Sequence, residues 1–332
     1  MVLFLKNKKL VNYSKYGYLF AIPFMIAFCI FTLYPICYTL FIGFTNYEGA
    51  IPKKLEVLKD PMENFKYIFK KLPDGSKSYF LQGLGNTVKI WIINFIPQLG
   101  LALILTAWFT DNRVKVKGQG FFKVVFYLPN IITAATVAML FRNLFGYPIG
   151  PINDILKTLH IVKEPFYFLN KKVPTRVIVE FIQFWQWYGS TMITLIAAVI
   201  GINPEIFEAA EIDGASRTQK FIRITIPCIR PIMLFTLVTS MIGGLSMFDI
   251  PMCLANGGPD NATLTLAVYI YNTAFNKPYK YNRAAAASVV LFIIIIICSC
   301  TLFYLMRDKD AAKLAKLKKA ELKQAKLAAK GA

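Results

Sequence analysis

The sequence predicts an all-α integral membrane protein with six transmembrane helices. Of its 332 residues, 56% are hydrophobic and only 17% are charged, which is too apolar for an ordinary water-soluble domain. Six apolar runs recur along the chain, and each is long enough for a helix to cross the membrane, which takes about 20 residues. They occupy residues 17–44, 86–109, 122–144, 175–200, 228–250 and 283–306. The predicted organisation is an N-terminal arm (1–16), a six-helix membrane domain (17–306) and a C-terminal tail (307–332).

The first apolar run follows a polar arm that contains four lysines and no acid. A cleaved signal peptide and a retained signal-anchor span are the competing interpretations. The run is too long for a signal peptide and lacks a small-x-small cleavage site, so we expect a retained span. The mixed-charge segment after it, 45–85, contains several proline and glycine breakers and is predicted as the first outer loop.

The later spans are separated by polar segments. Span two carries Asn94, Pro97 and Gln98 within its apolar run. Residues 146–174 and 251–282 are predicted as the second and third outer loops, and span six is almost wholly apolar. The sequence leaves open whether two acids in spans four and five, Glu180 and Asp249, are buried and functional or lie at the interface.

The net charge of +20 bears on partners and orientation. Such a charge could indicate nucleic acid, but the basic residues flank apolar spans and crowd the tail, which favours a membrane protein with no nucleic-acid partner. Six spans put both termini on one side, and the basic arm and tail predict that this side is cytoplasmic. The tail is predicted either to lie on anionic membrane lipid or a partner, or to be a solvated basic extension.

One polar interruption, residues 203–227, separates spans four and five. Asn203 is a good N-cap and Pro204 suits the first helical position. Gly214 can take the left-handed conformation that ends a helix, and Ser216 to Gln219 reads as a capping box. We therefore expect a short helix, a glycine turn and a second helix that Pro227 interrupts. Taken alone, this pattern of capping and turn residues also fits an ordinary linker between two spans.

The same interruption resembles the signature of permease subunits of binding-protein-dependent ABC importers. Glu208-Ala209-Ala210, Gly214, Ile224 and Pro227 match at every spacing, with Ile226 where leucine is usual. The longer string from Glu208 to Ala215 is similar to the maltose and oligosaccharide branch. The resemblance implies a type I permease fold in which this segment is a cytoplasmic coupling helix docked on an ATPase subunit. The residues it assigns to coupling are Glu208, Ala209, Ala210, Glu211, Asp213 and Gly214.

The resemblance also implies that the chain is a permease subunit of a bacterial ATP-driven sugar importer and forms half of its transmembrane pathway. The implied partners in the cell membrane are a second homologous permease subunit, two ATPase subunits and an extracellular sugar-binding protein. No Walker A pattern occurs, so ATP and Mg are expected on the ATPase subunits and no cofactor on this chain. An oligosaccharide is favoured over a monosaccharide.

Two other classes of protein compete with this interpretation. A self-contained secondary transporter or channel is the main alternative, but it would require internal repeats, and no obvious repeat is present. A membrane enzyme is less favoured, because the chain has a single histidine, His160, and no acid–His or Cys–His constellation. The six cysteines form no metal-type pair and are expected to be reduced packing residues.

Span four is the first predicted substrate-binding element. Its candidates are Gln183, Gln186, Trp187 and Ser190, whose spacing lets much of the set share one helix face. Aromatic rings beside amide and hydroxyl groups suit a sugar, although polar groups in spans also serve helix–helix hydrogen bonding. Three of these residues, Gln183, Trp187 and Ser190, align with the sugar-lining stretch of the maltose permeases.

Span five is the second predicted substrate-binding element. The segment Asn256-Gly257-Gly258-Pro259 resembles the NGGP loop of the same sugar permeases. The resemblance places substrate contacts shortly before that loop, at Gly244, Ser246, Met247 and Phe248. The maltose permeases have asparagine at some of these positions, which puts maltose itself in doubt. Close packing is the competing explanation for the glycines.

Overall fold

The structure is a computed structural model that describes residues 14–49, 55–111, 117–306 and 321. Most of the predicted N-terminal arm and nearly all of the predicted basic tail lie outside these residues. Within them the chain is helical, and strand-like pairing is limited to one bridge between Thr45 and Val57. The all-α prediction is therefore confirmed for the described part.

Fourteen α-helices follow one another along the described chain. The first seven are α1 (Ser14–Phe28), α2 (Tyr34–Ile42), α3 (Glu63–Phe69), α4 (Tyr79–Thr110), α5 (Gln119–Ile131), α6 (Ala134–Leu144) and α7 (Pro151–Thr158). The others are α8 (Lys172–Ile200), α9 (Pro204–Ile212), α10 (Arg217–Lys220), α11 (Ile226–Leu245), α12 (Asp249–Ala255), α13 (Leu266–Phe275) and α14 (Tyr281–Met306).

Four continuous helical stretches are long and apolar enough to cross a membrane, and there are up to six spans if each of two bent pairs counts as one. The four are Gly17–Ile42, Tyr79–Thr110, Arg217–Ala255 and Tyr281–Leu305. The bent pairs are α5 with α6, at 88°, and α8 with α9, at 75°. The six predicted spans fall on these elements.

The bend between α5 and α6 is stabilised by side chains. Thr133 caps α6 by accepting a hydrogen bond from the Thr136 N–H. The carbonyl of Ile132 loses its helical partner at the bend and accepts a 2.9 Å hydrogen bond from Nε2 of Gln186 on α8. A broken helix at membrane depth needs such replacement partners, because the hydrocarbon offers none.

The core forms where α8 packs between α4, α5 and α11. Met192 and Leu195 of α8 are fully buried in it, beside Ala102 of α4 and Ile229 of α11. Gly189 permits the close approach of α5, since a Cβ there would lie 2.1 Å from the carbonyl oxygen of Phe126. These contacts fix the relative positions of the helices that line the site described below.

Residues 251–282 were predicted to be the third outer loop, and the prediction of a loop is wrong. Most of it is helical, as α12, α13 and the start of α14. Leu254 and Leu266 are almost fully buried, and the N–H of Leu266 donates a 3.0 Å hydrogen bond to Oγ1 of Thr87 on α4. Short helices of this kind are stabilised by tertiary packing more than by local propensity, so the sequence pattern understated them.

The predicted interruption at Pro227 is also wrong. The chain stays helical through this residue, which is the second residue of α11. A π-helical turn, Phe221–Thr225, lies directly before α11 and widens the helix at this point. Proline lacks the N–H of a normal helical bond, and a local π-type adjustment is one way in which a helix accommodates it.

Candidate transport cavity and coupling segment

A cavity of about 410 Å³ lies between α4, α8, α11 and the break that separates α11 from α12. It is lined by Trp91, Asn94, Gln98, Ala134, Gln183, Gln186, Trp187, Ser190, Thr191, Thr194, Phe235, Thr236, Thr239, Ser240, Gly243, Gly244, Ser246, Met247, Phe248, Asp249 and Ile250. We call it the transport cavity.

The structure brings all of the predicted substrate-binding residues together at the transport cavity. Gln183, Gln186, Trp187 and Ser190 reach it from α8, and Gly244, Ser246, Met247 and Phe248 reach it from α11 and the break. These two groups are distant in sequence and meet because α11 packs beside α8.

The four α8 residues have different surroundings. Trp187 is half exposed, at 49% of its surface, so its ring is available at the cavity wall. The hydroxyl of Ser190 donates a 3.0 Å hydrogen bond to the carbonyl of Trp187 and keeps its acceptor capacity. Gln186 is buried and its amide N–H is bonded at the α5–α6 bend, while its Oε1 has no hydrogen-bond partner within the described chain.

The break after α11 is held by residues of the segment that follows α12. Thr265 donates a 2.9 Å hydrogen bond to the carbonyl of Met247, and Met247 is buried. The ring of Phe248 lies 5.0 Å from that of Tyr271 on α13. Met247 and Phe248 are therefore held in place by later residues of the chain, and both line the transport cavity.

Helix α4 supplies three lining residues that were not among the predicted site residues, namely Trp91, Asn94 and Gln98. Nε2 of Gln98 donates a 2.8 Å hydrogen bond to Oγ1 of Thr191 on α8, and Nδ2 of Asn94 donates to the carbonyl of Ile90. The amides at 94 and 98 within an apolar run were the available signal, because polar side chains in a span usually face the interior of the bundle. For Trp91, no signal in the run distinguished it from a lipid-facing ring.

The charge of the transport cavity is low. Among its lining residues, Asp249 at the start of α12 is the one ionisable group, and lysine, arginine and histidine are absent from the set. The other acid left open by the sequence, Glu180, is buried on α8 outside this lining, and its Oε1 has no hydrogen-bond partner among the described residues. Within the described residues no cluster of three or more possible metal ligands occurs.

The segment from Asn203 to Lys220 forms the predicted helix, turn and helix. Oδ1 of Asn203 accepts the N–H of Glu205, which caps α9. Helix α9 ends at Ile212, and the turn after it contains Gly214, whose φ is +75°. The Gly214 N–H donates a hydrogen bond to the Glu211 carbonyl, and the Ala215 N–H donates one to the Ala210 carbonyl. That pair of bonds is the Schellman motif. Ser216 and Gln219 then form the predicted capping box of α10.

Two ion pairs fasten this segment. Lys220 and Glu211 pair across the turn, and Nε of Arg217 lies 3.3 Å from Oδ2 of Asp111, which follows α4. A second cavity, of about 1150 Å³, opens between the segment and the nearby ends of α4, α5 and α8. The segment is therefore tied to the membrane helices by charge while leaving space beside them.

The residues predicted to couple to an ATPase divide by exposure. Ala210 is buried against the rest of the chain, whereas Glu208, Ala209, Glu211 and Asp213 are exposed. Gly214 is exposed too, and no atom lies within 4 Å of its Cβ position. Two of the exposed members, Glu208 and Glu211, also line the second cavity beside the membrane helices.

Comparisons with known proteins agree with this architecture. Residues 87–313 match the family described as binding-protein-dependent transport system inner membrane component. The chain is 31% identical to the lactose transport system permease protein LacF of Rhizobium radiobacter, over 90% of this chain and 96% of that protein. It is 28% identical to the multiple sugar-binding transport system permease protein MsmF of Streptococcus mutans, over 88% of this chain and 95% of that protein.

A solved structure shares the fold. It is a bacterial ABC transporter involved in the import of the acidic polysaccharide alginate, and its matching chain superposes with a TM-score of 0.72 at 24% identity, over 89% of this chain and 97% of that one. Members of the matched family are transport subunits and are not themselves catalytic. The chain belongs to the family of binding-protein-dependent transport system inner membrane components and has the type I fold of an ABC importer permease.

Proposed function

We propose that this chain is one of two permease subunits of a bacterial ATP-driven importer, and that its substrate is a neutral oligosaccharide. The single observation that carries the proposal is the transport cavity, where two separate groups of predicted substrate-binding residues converge. Trp187 offers a ring face on which the C–H face of a sugar can stack, and Gln183 and Ser190 offer hydrogen-bonding groups.

The low charge of the transport cavity favours a neutral substrate. Recognition of a carboxylated sugar calls for arginine or lysine, and the described lining contains neither. The alginate importer that shares the fold is named for an acidic polysaccharide, whereas relatives are named for lactose and for arabinooligosaccharides. The composition of this cavity supports a neutral sugar like those of the named relatives.

The proposed assembly contains a second, homologous permease, two ATPase subunits that hold ATP and Mg, and an extracellular sugar-binding protein. A solved alginate transporter in complex with a sugar-bound periplasmic protein supports the last of these partners by analogy. In this proposal the coupling segment, 203–227, and both termini lie in the cytoplasm, and the membrane domain, 17–306, lies between the arm and the tail.

The proposed coupling role belongs to the exposed tip of the segment. Glu208, Ala209, Glu211 and Asp213, with the turn at Gly214, would dock on an ATPase subunit, while Ala210 is buried within this chain. Closure of the ATPase pair would then move α9 and α10 as one body. Because α9 continues from α8 and α10 leads into α11, that movement would reach both walls of the transport cavity.

Reconstitution of the complex tests the proposal. We expect sugar uptake into proteoliposomes only when both permeases, the ATPase subunits, ATP and the sugar-binding protein are present. If this chain alone moves sugar in response to an ion gradient, it is a secondary transporter or channel and the proposal is wrong. A panel of neutral and uronic sugars, tested for binding to the sugar-binding protein and then for uptake, checks the substrate class.

A further inference from the structure

Trp91 of α4 is held against α11 at two positions one helical turn apart. Its Nε1 donates a 3.3 Å hydrogen bond to Oγ of Ser240. At Gly244, a Cβ would lie 2.1 Å from Cδ1 and 2.6 Å from Cγ of the same ring. The indole therefore occupies the space that any side chain at position 244 would need.

The other contacts of Trp91 restrict its orientation further. The ring stacks on that of Phe95, with centroids 5.6 Å apart and planes at 23°, and Phe95 is itself buried. A ring with one edge hydrogen-bonded and one face stacked has few alternative rotamers. The remaining surface of Trp91 lines the transport cavity, so the indole is a fixed part of its wall.

The two glycines of α11 differ in how much space a side chain would have at each position. Gly243 also lines the transport cavity, but nothing lies within 4 Å of its Cβ position. Only Gly244 is required by the seating of Trp91. The absence of a side chain at 244 thus does not simply enlarge the cavity, because the indole of another helix takes the space.

We propose that Trp91 is a specificity-determining residue of the transport cavity, whose indole, seated on Gly244 and Ser240, limits the size of the neutral saccharide that passes. This inference rests on the proposed function of sugar import. Trp91 and Trp187 present aromatic surfaces from two helices, α4 and α8, to the same cavity. Loss of the Trp91 ring would open the wall at α11 to a longer or bulkier sugar.

The test measures initial uptake of lactose, maltotriose and maltopentaose by the complete complex in ATP-loaded proteoliposomes with purified sugar-binding protein, normalised to assembled complex. For Trp91→Ala we expect the rate for the longest probe relative to the shortest to rise by about tenfold. Trp91→Phe keeps a ring for stacking on Phe95 and should shift the ratio in the same direction by less. Gly100→Ala on α4, where no atom lies within 4 Å of the Cβ position, is the control and should leave the ratio unchanged.

A double variant tests the seating itself. Gly244→Ala displaces the indole toward the cavity, so the uptake ratio should fall, and adding Trp91→Ala should remove that effect. If uptake by the unaltered complex is normal but neither Trp91 variant changes the ratio, the inference is overturned and sugar import stands. If the unaltered complex assembles but takes up neither these probes nor any neutral sugar of the wider panel, the proposed function fails and the inference fails with it.

Discussion

Nε of Arg217 lies 3.3 Å from Oδ2 of Asp111, which joins the start of α10 to the end of α4. The pair connects the proposed coupling segment to a helix that lines the transport cavity. The Arg217 side chain is more than half exposed, so solvent screens the pair and its contribution to stability is small, on the order of 1 kcal/mol or less. Its position makes it a candidate for transmitting movement.

If this ion pair is removed, we expect sugar import to be less tightly coupled to ATP hydrolysis while the chain still folds. Arg217→Gln and Asp111→Asn should each lower the number of sugars imported per ATP hydrolysed by a few-fold, because α10 and the end of α4 can then move separately. Expression and melting temperature should remain near normal. The measurement is uptake and ATPase rate in the same proteoliposomes, and unchanged stoichiometry in both variants would exclude the mechanical role.

The turn at Gly214 gives a second prediction. With φ at +75° and open space around the Cβ position, the effect of a side chain there is confined to the backbone. Gly214→Val should destabilise the turn by about 1–2 kcal/mol, misplace α10 and reduce ATPase binding and uptake. Gly214→Asn is the matched control, because asparagine accepts the left-handed conformation, and it should retain most uptake. Equal uptake by the two variants would contradict the prediction.

Trp187 is the third residue to test. If its half-exposed ring stacks on the transported sugar, Trp187→Ala should reduce uptake per assembled complex by at least about tenfold, while sugar capture by the separate binding protein is unaffected. Phe181 is an equally exposed aromatic on the same helix that does not line the transport cavity, and Phe181→Ala should leave normalised uptake unchanged. Normal uptake by the Trp187 variant would make this ring a packing or interfacial anchor.

A fourth prediction concerns helix packing at Gly189. A Cβ there would overlap the carbonyl of Phe126, so Gly189→Ala must push α5 away from α8. Overpacking of this kind typically destabilises by about 1–3 kcal/mol, so we expect a lower melting temperature and less assembled complex. Gly100→Ala has no such neighbour and should behave like the unaltered chain in the same thermal assay. A Gly189→Ala complex as stable as the control would show that the helices adjust freely.

The parts of the structure that the sequence predicted well are governed by local interactions. The caps at Asn203 and Ser216 and the turn at Gly214 depend on hydrogen bonds among residues close in the chain. Residue types alone therefore indicate them. Membrane spans are similarly readable, because their length and apolar composition are set by the bilayer.

The parts that the sequence missed depend on distant contacts. The helix at Leu266 is stabilised by burial and by Thr87, a residue nearly 180 positions away. Trp91 is seated against Gly244 of α11, a contact between two helices that the sequence of α4 alone does not indicate. The helix was predicted to stop at Pro227, but it continues because the preceding π-helical turn accommodates a residue that has no N–H to donate. Propensity scales do not include such an adjustment.

The turn between α9 and α10 is held by hydrogen bonds within the segment itself, namely the Schellman bonds donated by Gly214 and Ala215 and the capping box at Ser216. Its shape therefore does not depend on a docking partner. A preorganised element loses little conformational entropy on binding, so contacts with an ATPase need not first order the segment. A subunit that detaches and returns would meet the same rigid surface each time, which allows a force applied at the tip to be passed on without being dissipated in refolding.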